Sequence, residues 1–189
     1  LGSSAWIAIS STEPVLDAHK LPFVFAHIEK GYFTSAVSIF AAGSALRWAR
    51  ETFCLDLKEN AYDEMTKMAD TSPIGANGLL FNPTLAGGSS QEPFAELSGA
   101  FHGLQLSHTR ADLIRAILEG VALSLGCFCL PILEPYCSAD QQIIFCGGGA
   151  KSAVWMQIFA DIFDKKVVLV NVDQDAASLG AAAIAATGC

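Results

Sequence analysis

The sequence has few basic residues and no long apolar run. Its 11 Lys and Arg are outnumbered by 19 Asp and Glu, which gives a net charge of −8, and Lys165 and Lys166 form only a pair. Proteins that bind nucleic acid concentrate positive charge on one face, so this class is excluded. No uninterrupted apolar run approaches the roughly 20 residues that a membrane-spanning helix needs. We therefore expect neither a nucleic-acid partner nor a membrane partner.

The six cysteines lack the spacing of metal sites and redox motifs. None forms a CxxC pair, and Cys127 and Cys129 lie in an apolar helical run. Free cysteine in such a run behaves as a small hydrophobic residue. We expect structural thiols in a reducing cytoplasm, with no disulfide and no metal ligands. The other four cysteines are Cys54, Cys137, Cys146 and Cys189.

Hydrophobic residues make up 52% of the chain and charged residues 16%, which is enough for a sizeable buried core. Segments with β-type and helix-type apolar spacing alternate along the chain, which predicts an α/β fold. The predicted strands are 5–10, 22–27, 32–39, 79–81, 142–146 and 166–170. The predicted helices are 41–53, 61–69, 110–130 and 174–186, with Pro131 ending the third of them. A further helix is predicted to start at its cap, Ser152, and to run to 163. Residues 83–99 form a long loop, and the order of elements after 142 predicts two parallel strands joined by a right-handed crossover.

A glycine loop, Gly147-Gly148-Gly149-Ala150-Lys151-Ser152, lies between a predicted strand and a predicted helix. Glycine lets a backbone approach a ligand closely, because no Cβ intervenes. The helix N-terminus adds free N–H donors and a partial positive charge. These residues predict a nucleotide or phosphate site at the carboxyl end of a strand.

Three known phosphate loops compete for this segment. A Walker A motif is rejected, because Phe145 and Ala150 stand where it needs glycine. A dinucleotide GxGxxG motif would use Gly147 and Gly149, but Ser152 stands at its third glycine, and the acid would have to come from the Asn171–Asp173 segment. The adenosine loop of actin-like ATPases matches without a misfit. The dinucleotide motif stays open, as does a tight turn that binds nothing.

The sequence around this loop resembles the C-terminal domain of FGGY carbohydrate kinases, and within the family it is most similar to xylulokinases. The resemblance covers nearly the whole chain, and five matching fragments occur in the family's order. They are 1–6, 78–83 followed by 85–87, 99–104 with 112–119, 147–155 and 176–182.

The resemblance implies an actin-like ATPase (ribonuclease H-like) domain with a mixed sheet and helices on both faces. It also implies Mg²⁺-dependent transfer of the ATP γ-phosphate to a sugar hydroxyl, with D-xylulose or a related pentulose as the substrate. The phosphate loop would contain Gly2, Ser3 and Ser4, with Gly87 approaching the nucleotide from the other side. The adenosine would contact Gly148 and Ser152, with Gly147, Gly149 and Ala150 shaping that wall.

Two departures from the family pattern limit what these residues could do. The family's catalytic Asp and its sugar-binding domain lie upstream of the position of Leu1. We therefore expect 1–189 to be the ATP-binding domain, incomplete at both ends and inactive alone. Its expected partners are its own N-terminal domain and a sugar, and a homodimer is compatible with the sequence. The family's Gly-Glu-Arg-Thr-Pro segment is replaced here by 87–93, which leaves the sugar open.

Other conspicuous residues are expected to be structural. His102 and His108 have no ligand partner at metal spacing. Asp112 suits the N-terminus of its helix, and Glu119 is expected to make a structural hydrogen bond. Two other functions stay open: an NAD-type oxidoreductase domain, and a non-catalytic actin-like regulatory module.

Overall fold

The structure is a computed structural model that describes residues 1–89, 91–138, 140–170, 172 and 175–187. Its strands are β1 (Ala5–Ser11), β2 (Phe23–Ala26), β3 (Phe33–Ile39), β4 (Leu80–Asn82), β5 (Ala100–His102), β6 (Ile143–Phe145) and β7 (Val167–Leu169). Its helices are α1 (Gly43–Phe53), α2 (Ala61–Thr71), α3 (Arg110–Ser124), α4 (Leu130–Leu133), α5 (Ala153–Phe163) and α6 (Ala176–Thr187). The α/β prediction is confirmed. Short β5 was not predicted, and the expected helix start at Gln174 lies outside the described residues.

The described strands form three small sheets. β1, β3 and β2 are antiparallel in the order β1-β3-β2, with Ala5 opposite Ile39 and Phe23 opposite Ala36. β4 pairs antiparallel with β5, and β6 pairs parallel with β7. Helix α5 connects β6 to β7, so the predicted parallel pair is present.

Helix α3 lies at the centre of the core, in contact with α1, α2, α5 and β4. Its predicted apolar stripe is buried, comprising Ile114, Ile117, Leu118, Val121 and Leu125. The helical segment 110–136 is long and apolar enough to cross a membrane by length and composition. However, 67% of its most apolar window is buried within the protein, as in the core helix of a globular domain.

The prediction that Pro131 ends the long helix is wrong. A π-helical turn, Leu125–Cys129, follows α3, and the helix then continues through α4. In this turn the N–H of Leu130 donates to the carbonyl of Leu125, five residues back. Proline in an ordinary α-helix clashes with the carbonyl four residues earlier, and the wider turn changes that register.

Five cysteines are described, and all are free thiols. Cys54 and Cys129 are buried, and burial raises the pKa of the Cys129 thiol to about 12. A thiol with so high a pKa is unreactive at neutral pH, which agrees with a structural role. Cys189 lies outside the described residues.

The polar side of α3 holds the connection between α2 and β4. The Asp112 carboxylate accepts hydrogen bonds from Ser72 Oγ at 2.7 Å, from Asn77 Nδ2 at 2.9 Å and from the N–H of Thr109 at 2.7 Å. Thr109 and Asp112 form a capping box at the start of α3. The N-terminus of the helix is thereby fixed to the end of α2.

One turn further along, a buried ion pair continues this polar side. Arg115 Nε donates to Glu119 Oε1 at 2.7 Å, and Glu119 also accepts from the N–H of Gly75 at 3.1 Å. The structural hydrogen bond expected for Glu119 is confirmed. Because both charges are buried, removing either partner would leave the other charge uncompensated.

Gly120→Ala tests how closely α3 packs on β4. A Cβ at Gly120 would lie 2.2 Å from the carbonyl oxygen of Phe81, so helix and strand would have to separate. We expect the free energy of unfolding in urea to fall by about 1–3 kcal/mol or more. Gly180→Ala is the control, because a Cβ there meets nothing within 4 Å. It should change stability by less than about 1 kcal/mol, in the stabilising direction. Equal effects of the two substitutions would contradict the close packing.

Asp112→Asn tests the network at the start of α3. The hydrogen bonds from Ser72 and Thr109 hold the pKa of Asp112 well below its ordinary 3.8. The charged form therefore stabilises the folded state, fully above the ordinary pKa and progressively less as pH falls below it. At pH 7 the substitution should cost about 2–3 kcal/mol, and the difference from the unchanged chain should shrink between pH 5 and pH 3. Urea denaturation measures this, with exposed Asp70→Asn as the charge control. A difference that is independent of pH would be inconsistent with the proposed network.

Candidate functional site

A cleft of about 470 Å³ lies where two loops meet two helices. The loops are the residues before β1 and the glycine loop between β6 and α5. The helices are α1 and α2, whose exposed sides form the opposite wall. The predicted site residues among its lining are Gly2, Ser3, Gly148, Gly149 and Ser152.

The loop before β1 is held by the start of α1. The N–H groups of Ala42 and Ser44 donate to the carbonyl of Ser3 at 2.9 and 3.0 Å, and Ser44 Oγ donates to the same oxygen at 2.9 Å. The N–H of Gly43 donates to the carbonyl of Gly2 at 2.9 Å, and a Cβ at Gly43 would lie 2.4 Å from that oxygen. Only glycine at position 43 allows helix and loop to meet this closely.

The glycine loop turns from β6 into α5 through a short 3₁₀ turn, Gly148–Lys151. Gly147 has φ +92°, a backbone conformation that favours glycine, and a Cβ there would lie 2.7 Å from the carbonyl oxygen of Leu1. A Cβ at Gly149 would overlap the Leu1 side chain, whereas at Gly148 nothing lies within 4 Å. Packing therefore explains the glycines at 147 and 149 but not the glycine at 148.

Ser152 caps α5, as predicted, since its hydroxyl accepts from the N–H of Trp155 at 3.2 Å. Trp155 in turn donates its indole N–H to the carbonyl of Leu118 at 3.0 Å, and its side chain is buried. The glycine loop is therefore anchored through α5 to the central helix α3.

Four of the predicted site residues do not line this cleft. Gly147 and Ala150 line a neighbouring hollow of about 310 Å³ beside the end of β7. Ser4 and Gly87 line neither space. The dinucleotide motif needs an acid in the Asn171–Asp173 segment. Both Asn171 and Asp173 lie outside the described part of the chain.

Gly87 lies in the loop between β4 and β5, where the structure gives it a packing role. Its φ is +85°, and a Cβ there would lie 2.7 Å from the carbonyl oxygen of Ala95. Buried Gln91 fastens the same loop to β3, because its side-chain oxygen accepts from the N–H of Ser38 at 3.0 Å. A nucleotide contact at Gly87 stays a prediction.

Sequence reasoning missed the wall formed by α1 and α2. Leu46 and Arg47 on α1, with Tyr62, Asp63 and Thr66 on α2, line the cleft opposite the glycine loop. No motif marks them, since they meet only because α1 and α2 pack side by side. The set combines an apolar surface, an aromatic ring, a cation and hydrogen-bonding groups, which suits a flat heterocycle with polar edges.

The described residues contain no group of three or more His, Cys, Asp or Glu side chains that could hold a metal ion. His108, which was expected to be structural, makes two contacts. Its Nδ1 accepts from the N–H of Gln105 at 2.8 Å, and its Nε2 lies 3.3 Å from the carbonyl oxygen of Asn77.

Several known proteins are similar to this chain. The xylulose kinase of Staphylococcus epidermidis (strain ATCC 12228) is 38% identical over 157 residues, which cover 83% of this chain and 30% of the relative. The gluconokinase of Bacillus subtilis (strain 168) is 34% identical over 188 residues, covering 96% of this chain and 36% of the relative. The crystal structure of xylulose kinase from Rhodospirillum rubrum superposes with a TM-score of 0.85 at 32% identity, over 98% of this chain and 36% of that one.

The chain thus spans about a third of the length of the relatives that it matches. The whole of this chain, residues 1–189, matches the family described as the FGGY family of carbohydrate kinases, C-terminal domain. The solved relatives have the actin-like ATPase fold, which agrees with the mixture of helices and sheets found here. The chain therefore belongs to the FGGY family of carbohydrate kinases, as a C-terminal domain of that family.

Proposed function

We propose that this domain binds ATP in the cleft, as the nucleotide-binding part of a kinase that phosphorylates a sugar hydroxyl. The observation that carries this proposal is the single cleft that joins the Gly2–Ser3 loop to the Gly148–Ser152 loop. The Gly2–Ser3 loop is suited to the phosphates and the Gly148–Ser152 loop to the adenosine, and α1 and α2 close the opposite side.

The chemistry of the cleft fits a nucleotide. Gly148 leaves its side of the loop open, so a ligand can approach the backbone there. Tyr62 lines the cleft and is 40% exposed, with the Arg50 guanidinium 5.5 Å from the centre of its ring, and Arg47 offers a cation. In a chain with net charge −8, phosphates would be held by backbone N–H groups and the Ser3 hydroxyl more than by bulk charge. Mg²⁺ would enter with the phosphates, since it is usually held by substrate oxygens and water.

The remaining parts of the reaction are proposed to lie elsewhere in the parent protein. Phosphoryl transfer needs positioning, charge neutralisation and a base that accepts the hydroxyl proton. The chain covers about a third of its relatives, which supports a separate domain for the sugar and for the catalytic Asp. We place the parent kinase in the cytoplasm, consistent with the free thiols of the five cysteines that the structure describes.

The sugar is proposed to be D-xylulose or a related pentulose. Relatives named xylulose kinase support this choice, while those named gluconokinase keep a sugar acid as the second candidate. The 87–93 segment differs from the family pattern, and here it is tied to β3 through Gln91. A panel of pentuloses and gluconate with the full-length kinase would separate the two substrates.

The oxidoreductase alternative loses its support. A dinucleotide-binding domain is built on a mostly parallel sheet, whereas β1, β3 and β2 are antiparallel, and the family is a kinase family. The regulatory module shares the fold and cleft, so activity of the full-length protein would separate it from the kinase.

Calorimetric titration of this chain with ATP and with NAD tests the ligand. We expect weak ATP binding, with a Kd on the order of 1 mM, because the partner domain that would close on the nucleotide is not included. NAD should bind more weakly still, and tighter binding of NAD would contradict the proposal. With D-xylulose and Mg-ATP the chain should release no ADP above background. Turnover by these 189 residues alone would place the catalytic base within them.

Gly148→Val tests the orientation of the glycine loop. A Cβ at position 148 would have no protein atom within 4 Å, so the melting temperature should change little, and the valine side chain would occupy the space beside the cleft. We expect ATP affinity to fall at least about tenfold, equivalent to 1.4 kcal/mol. Gly149→Ala is the matched contrast: its Cβ would overlap Leu1, so it should lower the melting temperature. Unchanged ATP affinity in Gly148→Val would exclude this loop from the site.

A further inference from the structure

A second groove, of about 750 Å³, lies beside the C-terminal half of α3 and shares no lining residue with the cleft described above. Its walls are α3 with the π-helical turn, the β4–β5 pair, and residues of the loops that precede β2 and β5. Small-molecule pockets usually measure roughly 300–1,000 Å³, so this space, named here the α3 groove, has the size of a ligand site.

One face of the helix forms the first wall of the α3 groove. Gly120, Leu123, Ser124 and Phe128 line it, and their spacing of three and four residues places them on the same side of the helix. Phe128 lies in the π-helical turn and is 60% exposed. A π-helical turn inside a longer helix is frequently found at a functional site. This wall therefore offers an accessible aromatic ring beside an irregular stretch of backbone.

Ser124 is the informative residue of this wall. It is only 8% exposed, and its hydroxyl makes no hydrogen bond to any residue that the structure describes. A hydroxyl so far buried ordinarily has a partner, because taking it from water without one costs free energy. Since Ser124 lines the α3 groove, a molecule bound there would supply the partner that the protein does not.

The β4–β5 pair forms the second wall and adds further hydrogen-bonding groups. Leu80 and Asn82 are two residues apart on β4 and so share one face, and His102 of β5 lies directly opposite Leu80. All three line the α3 groove. The Asn82 amide can donate two hydrogen bonds and accept others, yet it makes none within the described part of the chain. Two unpartnered polar side chains, from α3 and from β4, therefore face the same space.

The charged side chains of the α3 groove do not favour a charged ligand. Lys20 and Glu92 line it with opposite signs, and each already holds a backbone group. Lys20 Nζ donates to the carbonyl of Gln91 at 3.2 Å, and Glu92 Oε2 accepts from the N–H of Ser89. Because the two charges offset each other and are engaged, the groove is suited to a neutral molecule.

We propose that the α3 groove binds a small neutral molecule with an aromatic ring and one hydrogen-bonding edge, of the class of aromatic amides and alcohols. The ring would pack against Phe128 and Leu123, as aromatic rings and apolar side chains do. The edge would hydrogen-bond to the Ser124 hydroxyl and the Asn82 amide. This site is additional to the nucleotide cleft and does not depend on what the cleft binds.

The experiment titrates the chain with benzamide and follows the backbone amide signals by NMR. The carbonyl of benzamide can accept from Ser124 and its amide nitrogen can donate to Asn82, while its ring can meet Phe128. Acetamide is the control that keeps the edge without the ring, and toluene keeps the ring without the edge. We expect saturable shifts confined to β4, β5 and residues 120–128, with a Kd on the order of 1 mM. Acetamide and toluene should each bind at least about fivefold more weakly, and saturating ATP should not displace benzamide.

Two variants test the wall residues. Ser124→Ala removes a hydroxyl that has no partner among the described residues, so the urea midpoint of the chain should not fall, whereas benzamide affinity should fall about three- to tenfold. Leu80→Trp places a bulky ring at a position that is 56% exposed, so it should block the groove without disturbing the core. Ser178→Ala on α6, outside the groove, is the matched control and should bind benzamide as the unchanged chain does.

Several results would overturn the proposal. Shifts that do not saturate, or that centre on the nucleotide cleft, would show that benzamide has no site in the α3 groove. Equal affinity of toluene and benzamide, or of the unchanged chain and either Ser124→Ala or Leu80→Trp, would exclude the assigned contacts. A lower urea midpoint for Ser124→Ala would give this serine a structural role instead. Shifts of the same residues with protein concentration alone would show that a second copy of the chain fills the groove.

Discussion

The structure depends on the close packing of the buried helix α3 against its neighbours. Gly120 lies so near the carbonyl of Phe81 that β4 rests directly on the helix backbone. The apolar stripe of α3 fills the core, and its polar side carries Asp112, Arg115 and Glu119, which hold the connection from α2 to β4. One helix therefore fixes elements that are far apart in the sequence.

Both sides of the cleft are positioned through this helix. On one side, the network of Asp112 and Glu119 holds the end of α2, and α2 presents Tyr62 and Thr66 to the cleft. On the other side, the hydrogen bond from Trp155 to Leu118 fixes α5, and Ser152 at the start of α5 ends the glycine loop. Stability of the core and geometry of the site are thus linked, because a shift of α3 would move the two sides apart.

Much of this arrangement could be predicted from the sequence, because it is encoded locally. Apolar periodicity located α3 and its stripe, and the order of elements after 142 predicted the parallel pair β6–β7. Ser152 was recognisable as a cap from its place between a glycine loop and an apolar helix. The continuation past Pro131 was not predictable from proline rules alone, since it depends on a π-helical turn within a buried segment.

The rest of the site depends on contacts that no local pattern records. Arg47 and Tyr62 face the glycine loop only because α1 and α2 pack together. The glycine at position 87 has a reason in the fold, its contact with Ala95, so its presence is no argument for a ligand contact.

Gly148 is the informative residue for the opposite reason. A Cβ there would have no protein atom within 4 Å, and the φ of Gly148 is not of the kind that requires glycine, so neither packing nor backbone strain explains this glycine. Gly147 and Gly149, by contrast, are held against Leu1, whose amino nitrogen donates to the carbonyl of Cys146 and whose carbonyl accepts from the N–H of Gly149. The position of the glycine loop is therefore set from two directions, by α5 on the core side and by Leu1 on the other. A ligand that contacts Gly148 would therefore bind a stretch of backbone whose position is set by both contacts.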